Sequence, residues 1–291
     1  MPFSSSSNTF KILQIASPLG LVMWIVVNGW ALSATTLLVT STNSILRSFP
    51  PIWDEFTADE DQYEAQYEAY VRSSMFGGKL NPALLDLKYL NLSNAGFGGV
   101  IPHQLGNLSN LQYLNLKGYG LYDLYVNNLQ WLSGLPLLQH LDMSSVNLSE
   151  ASDWLQVTNK LPSLLELRLS DCELPFIPPT PSVNFSSLTT LDLSWNRFEN
   201  TLILSWIVGL RNLVFLDLSF NSFQGGPIPV VLQNMTSLRH LDLSGNYFNH
   251  SIPNWLYSFS RLEFLNLGSN NLQGTIPVLQ NMTSLRHLDL S

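Results

Sequence analysis

"VLQNMTSLRHLDLS" stands at residues 231–244 and again, unchanged, at residues 278–291. A catalytic core has no evident use for such a copy, whereas a stack of equivalent units does. The tail of the copied stretch, "LRHLDLS", shows the unit: leucines spaced L-x-x-L-x-L. Working outward from it, the same spacing starts at Leu87, Leu111, Leu138, Leu164, Leu188, Leu213, Leu238, Leu262 and Leu285. The steps between starts are 24, 27, 26, 24, 25, 25, 24 and 23 residues.

A fixed period in the twenties with this leucine spacing is the signature of a leucine-rich repeat. Within "LRHLDLS", Leu241 and Leu243 alternate along a short strand, so they share one face. One repeat cannot bury such leucines alone, and neighbours must stack into a continuous core. The expected fold class is an α/β leucine-rich-repeat solenoid. It is curved, with a parallel β-sheet on the concave face and irregular or 3-10 segments on the convex face. Asn196, Asn221, Asn246 and Asn270 follow the strands at one fixed position, where an amide bonds the turning backbone of adjacent repeats. Cys172 takes that position in its own repeat and is read as a small buried substitute. Trp131, Trp154, Trp206 and Trp255 recur on the return path and are assigned to core packing.

Of 291 residues, 45% are hydrophobic and only 12% charged, so a sizeable core is available and disorder is excluded by composition. The net charge of −8 excludes a nucleic-acid partner, which needs a basic footprint. Seven of the 21 acidic residues lie between Asp54 and Glu68 with no Lys or Arg among them, leaving the remainder nearly neutral. The single cysteine excludes an internal disulfide and a cysteine-built zinc site. Between Ile12 and Leu46 there is no charge, and "LGLVMWIVV" (residues 19–27) is followed by small residues at 31–34. Residues 1–34 therefore read as a signal peptide, with an uncleaved N-terminal membrane anchor as the competing assignment. Residues 35–76 form an atypical acidic segment. Thr57 and Glu60 make a capping box for a short helix there, and a disordered linker is the alternative. Residues 77–291 are the repeat domain, eight full repeats and a truncated ninth.

"GGVIP" (98–102), "GGPIP" (225–229), "HSIP" (250–253) and "GTIP" (274–277) follow the strands. With the leucines they resemble the plant extracellular repeat class, LxxLxLSxNxLxGxIPxxLxxLxxL, from Gly77 to Ser291. "KLNPALLDLKYLNLS", "IPHQLGNLSNLQYLNL", "LQWLSGL" and "LLELRLSDCEL" are similar to membrane receptor-like proteins of plant immunity, above all the xylanase-elicitor receptor group. That resemblance implies a secreted or plasma-membrane recognition protein of plant defence or signalling, routed through the secretory pathway to the cell surface or apoplast. It implies a protein, peptide or glycan ligand and a separate receptor kinase as co-receptor, since this chain carries no kinase. Membrane association would come through a missing C-terminal region or the N-terminal anchor. The chain departs from the family in lacking the cysteine-paired N-terminal cap, in a shortened first repeat, and in ending inside a repeat. Two alternatives follow: a secreted inhibitor similar to the polygalacturonase inhibitors, and a truncated product without independent function.

No catalytic motif appears, and no catalytic, cofactor or metal residue is assigned. His140, His240 and His287 share a strand position but are too far apart, at about 4.8 Å per strand, to ligate one ion. Function is expected at the outward positions, which packing does not dictate: Tyr113, His140, Arg168, Thr190, Trp195, Phe215, Phe220, Arg239, His240 and Phe264. Trp195, Phe215 and Phe220 are expected to form one aromatic patch that anchors a partner. Seven N-glycosylation sequons are present, at Asn91, Asn107, Asn147, Asn184, Asn234, Asn249 and Asn281. Asn107, Asn184, Asn234 and Asn281 each lie four residues before a repeat start, a row that leaves the sheet free. Asn91 projects from a strand.

Overall fold

The computed structural model describes residues 11–16, 22–27, 35–39, 44–47, 85–93, 98–118, 124–174, 185–199, 206–207, 209–274 and 281–291. The helix expected from Thr57 and Glu60 lies outside them, as does Asn184. In the N-terminal part the backbone forms strands β1 (Lys11–Ala16), β2 (Val22–Val27), β3 (Thr35–Val39) and β4 (Ser44–Arg47), paired antiparallel in sequence order. Among the described residues no helix is long and apolar enough to cross a membrane.

Nine parallel strands follow, one for each start read from the leucine spacing. They are β5 (Tyr89–Asn91), β7 (Tyr113–Asn115), β9 (His140–Asp142), β10 (Glu166–Arg168), β11 (Thr190–Asp192), β12 (Phe215–Asp217), β13 (His240–Asp242), β14 (Phe264–Asn266) and β15 (His287–Asp289). Their register is fixed by the central leucine: Leu191 faces Leu216, Leu216 faces Leu241, and Leu241 faces Leu265. These leucines are fully or almost fully buried, and the outer strand residues are not. A slip of one residue would exchange those two sets, so burial alone holds the register. A second sheet of two strands, β6 (Gly99–Val100) and β8 (Leu124–Tyr125), lies after the turn.

Among the described residues the return path includes short 3-10 segments at 103–107, 130–134, 230–234 and 254–258, and a helical turn, α1 (Trp154–Thr158). Pro102, Pro229 and Pro253, the prolines of the I-P motif, sit just ahead of three of them in extended conformation. Proline lacks an N–H and fixes φ, which suits a segment start. Packing between segments is tight: a Cβ at Gly106 would fall 2.4 Å from the Trp131 carbonyl oxygen. Trp131, Trp154 and Trp206 are buried and Trp255 packs against the core, as the sequence suggests.

The asparagine ladder is present. Asn196 Nδ2 donates to the carbonyls of Leu169, Leu193 and Ser194, and its Oδ1 accepts from the N–H groups of Cys172 and Leu174. Asn221 repeats this one step on. Cys172 is fully buried, its thiol donating to the Met143 carbonyl oxygen at 3.1 Å, and burial pushes its pKa far up. A thiol held protonated is a poor nucleophile, in line with a packing role.

Candidate functional site: the exposed sheet face

Each three-residue strand turns its first and third side chains away from the core, so nine strands in register generate two columns. The first runs Tyr89, Tyr113, His140, Glu166, Thr190, Phe215, His240, Phe264, His287. The second runs Asn91, Asn115, Asp142, Arg168, Asp192, Asp217, Asp242, Asn266, Asp289.

Rings in the first column stack across strands. Tyr89 and Tyr113 lie 4.2 Å apart, and Phe215, His240, Phe264 and His287 form a continuous stack at 4.1–4.4 Å. Strand spacing near 4.8 Å makes such contact unavoidable for aromatic neighbours. Between the two stacks is a charged bridge. His140 Nδ1 meets Glu166 at 2.8 Å, Arg168 binds the same carboxylate through Nε, and Arg168 also reaches Asp192 at 3.5 Å. The guanidinium lies 5.0 Å over the Phe215 ring. Burial alone would raise the Glu166 pKa, but the hydrogen bonds from His140 and Arg168 outweigh it and hold the carboxyl below its ordinary value.

The second column is acidic. Asp142, Asp192, Asp217 and Asp242 each accept the backbone N–H and hydroxyl of the serine two residues on through Oδ1. Asp192 has Arg168 beside it; among the described residues Asp217 has no cationic side chain in salt-bridge range. Burial pushes the Asp217 pKa up to about 6, with the neighbouring charges of Asp192 and Asp242 adding to the effect and Ser219 opposing it. Burial lowers the His240 pKa, against the opposing charges of Asp242 and Asp192.

The anticipated residues divide among several places. Tyr113, His140, Thr190, Phe215, His240 and Phe264 stand in the first column, and Arg168 in the second. Arg239 precedes β13 and pairs with Glu263 at 3.2 Å. The expected single patch of Trp195, Phe215 and Phe220 is corrected. Phe215 stacks on His240, whereas Trp195 and Phe220 lie beyond the strands, in the turn, with φ of 59° and 50°. There the two rings stack on each other at 4.1 Å, and they are 54% and 43% exposed, more than the half-buried column residues. The position takes left-handed backbone in each central repeat, through Ser145, Asp171, Trp195, Phe220, Gly245 and Ser269. Non-glycine residues pay about 1–2 kcal/mol for it. At Gly245 a Cβ would lie 2.7 Å from the Phe220 ring, so glycine there makes room for the stacked pair.

Of the sequons, Asn107, Asn234 and Asn281 are exposed and lie off the sheet face, the first two ending 3-10 segments. Asn249 is exposed, and Asn147 is half-buried, donating to Glu173. Asn91 is half-buried in β5, with Oδ1 accepting the Ser93 N–H. The sequence reading passed over the aspartate column because each "LDLS" looked like repeat consensus. Its signal is the recurrence of Asp two residues after an aromatic or His in β12 and β13.

Leucine rich repeat family models match residues 86–108, 187–210, 212–235 and 229–272. The receptor-like protein EIX1 of Solanum lycopersicum is 42% identical over 132 residues, covering 44% of this chain and 12% of that protein. EIX2 of the same organism is 33% identical over 158 residues, covering 45% and 16%. The chain thus spans under a fifth of the length of these relatives. Among solved structures, the Arabidopsis receptor kinase HAESA ectodomain, in complex with an IDA peptide hormone ligand, superimposes with a TM-score of 0.54 at 30% identity, over 70% of this chain and 33% of that one. A leucine-rich-repeat protein of Leptospira interrogans gives 0.56 at 28% identity, over 73% and 51%. With the fold, the asparagine ladder and these matches agreeing, the chain is a leucine-rich-repeat protein similar in sequence to plant receptor-like proteins.

Proposed function

We propose that this chain is the recognition part of a plant cell-surface receptor-like protein and binds a protein or peptide ligand on its sheet face, in defence or signalling. The observation that carries this is the exposed Trp195–Phe220 pair beside in-register aromatic and acidic columns, none of it required by the core. Large exposed rings of this kind supply binding energy through desolvated contact. HAESA, related in fold and sequence, is a receptor with a peptide ligand, which supports this ligand class. A co-receptor kinase would complete the signalling unit.

The test is a binding screen of secreted microbial proteins and plant peptides against the immobilised chain by interferometry. Trp195→Ala and Phe220→Ala are expected to weaken a genuine ligand by about thirtyfold each, the size of a typical interface hot spot. Val230→Ala, at an exposed site outside the sheet, should leave it unchanged. Ligands indifferent to both ring substitutions would refute the assignment of this face.

Passage through the secretory pathway has its own readout. Peptide mass mapping after enzymatic glycan release from plant-expressed chain should show former glycans at Asn107, Asn234 and Asn281. Asn91, engaged on the sheet face, should be unmodified. Absence of sugar from every sequon would count against an extracellular location.

A further inference from the structure

We propose that Asp217, His240 and Asp242 form a binding site on the sheet face for a divalent transition metal of the zinc type. Asp217 lies on β12 and His240 and Asp242 on β13, in a register that sets Asp217 directly opposite Asp242. One ligand atom from each residue lies within 4.8 Å of the others. The set combines an imidazole nitrogen with two carboxylate oxygens, the donors that zinc and its neighbours accept and that calcium or magnesium, preferring oxygen alone, do not.

Three features mark this set among the similar ones along the sheet. The His240 ring is held between Phe215 and Phe264, so its plane is fixed before any ion arrives, and neither of its nitrogens has a hydrogen-bond partner among the described residues. Asp217 and Asp242 are each anchored through Oδ1 by the serine two residues on. That leaves Oδ2 of Asp217 without a hydrogen-bond partner among the described residues, and Oδ2 of Asp242 with Asn266 at 3.2 Å. The equivalent positions elsewhere are neutralised or incomplete: His140 is taken by Glu166, and beside His287 the preceding strand sets Asn266 rather than an aspartate opposite Asp289.

Ligand atoms about 2.1 Å from an ion stand roughly 3.4 Å apart at a tetrahedral angle. Closing from a spacing within 4.8 Å asks for a change of about 1.4 Å at most between ligand atoms. Three protein ligands leave a coordination position open to solvent. The site does not depend on the ligand reading above, and metal binding is measured without any protein ligand.

The experiment is calorimetric titration of the intact chain with zinc chloride, repeated on Asp217→Asn, His240→Gln and His287→Gln. Asparagine already occupies the Asp217 column at Asn115 and Asn266, where Oδ1 accepts the backbone N–H two residues on, so Asp217→Asn is expected to fold. Far-UV circular dichroism melts verify that. The expected result is saturable binding of one zinc ion, weakened more than about tenfold in Asp217→Asn and in His240→Gln, and unchanged in His287→Gln; loss of a mere outlying partner already costs about tenfold. Cobalt(II) bound to the wild-type chain should show visible bands that His240→Gln abolishes. Absence of saturable zinc binding, or binding indifferent to both ligand substitutions in folded protein, overturns the proposal.

Discussion

Asn221→Ala is expected to destabilise the chain by about 3–5 kcal/mol, while Cys172→Ala, two repeats earlier in the same ladder, costs only about 1 kcal/mol. Asn221 is 4% exposed, and its amide donates to the carbonyls of Leu193, Leu218 and Ser219. Its Oδ1 accepts the N–H groups of Asn196 and Phe198, each at 3.2 Å. Truncation strands those two buried donors, and each orphaned group costs about 1–3 kcal/mol. Cys172 carries no such duty. The corresponding N–H groups of the preceding repeat, on Val146 and Leu148, bond backbone carbonyls of Met143 and Cys172 instead. The measurement is urea unfolding of both variants, with midpoints compared at constant m. Equal losses would show that the ladder amide is a filler and not a connector.

That contrast also marks where the sequence was legible. Leucine spacing located all nine strands, because burial leaves the repeat no other register. The Asn positions were legible for a related reason: a turning backbone has few partners, and the amide is the side chain that serves donors and acceptors together. The columns were harder. Trp195 lies four residues after Leu191, close enough to read as a strand position, yet it occupies left-handed backbone that large side chains avoid. Nothing local announces that conformation; it is imposed by the N–H of Trp195 bonding the Ser219 carbonyl in the next repeat. Likewise the Asp217–His240–Asp242 set joins residues on two strands, and only the strand register brings them together.

The same acidic column yields an expected pH response. The Asp217 carboxyl titrates at about 6 in the folded chain, against about 3.9 in an unfolded one, chiefly through burial and then through Asp192 and Asp242. A raised carboxyl pKa means that the folded state holds the proton more tightly. Between about pH 4 and pH 6 the native chain binds more protons than the unfolded one, so this group makes stability fall as pH rises, and the loss is complete above pH 6. At one pKa unit per about 1.4 kcal/mol, the effect is on the order of 3 kcal/mol. Asp217→Asn removes the titration while keeping an oxygen for the Ser219 N–H. In chelator-containing buffer, the variant should therefore match the wild type near pH 4 and exceed it by on the order of 3 kcal/mol at pH 7. Urea unfolding at the two pH values decides it, and parallel wild-type and variant curves would mean that Asp217 ionises as freely folded as unfolded. Asparagine makes the same backbone contact in β7 and β14, so the turn by itself does not call for a carboxylate at this position.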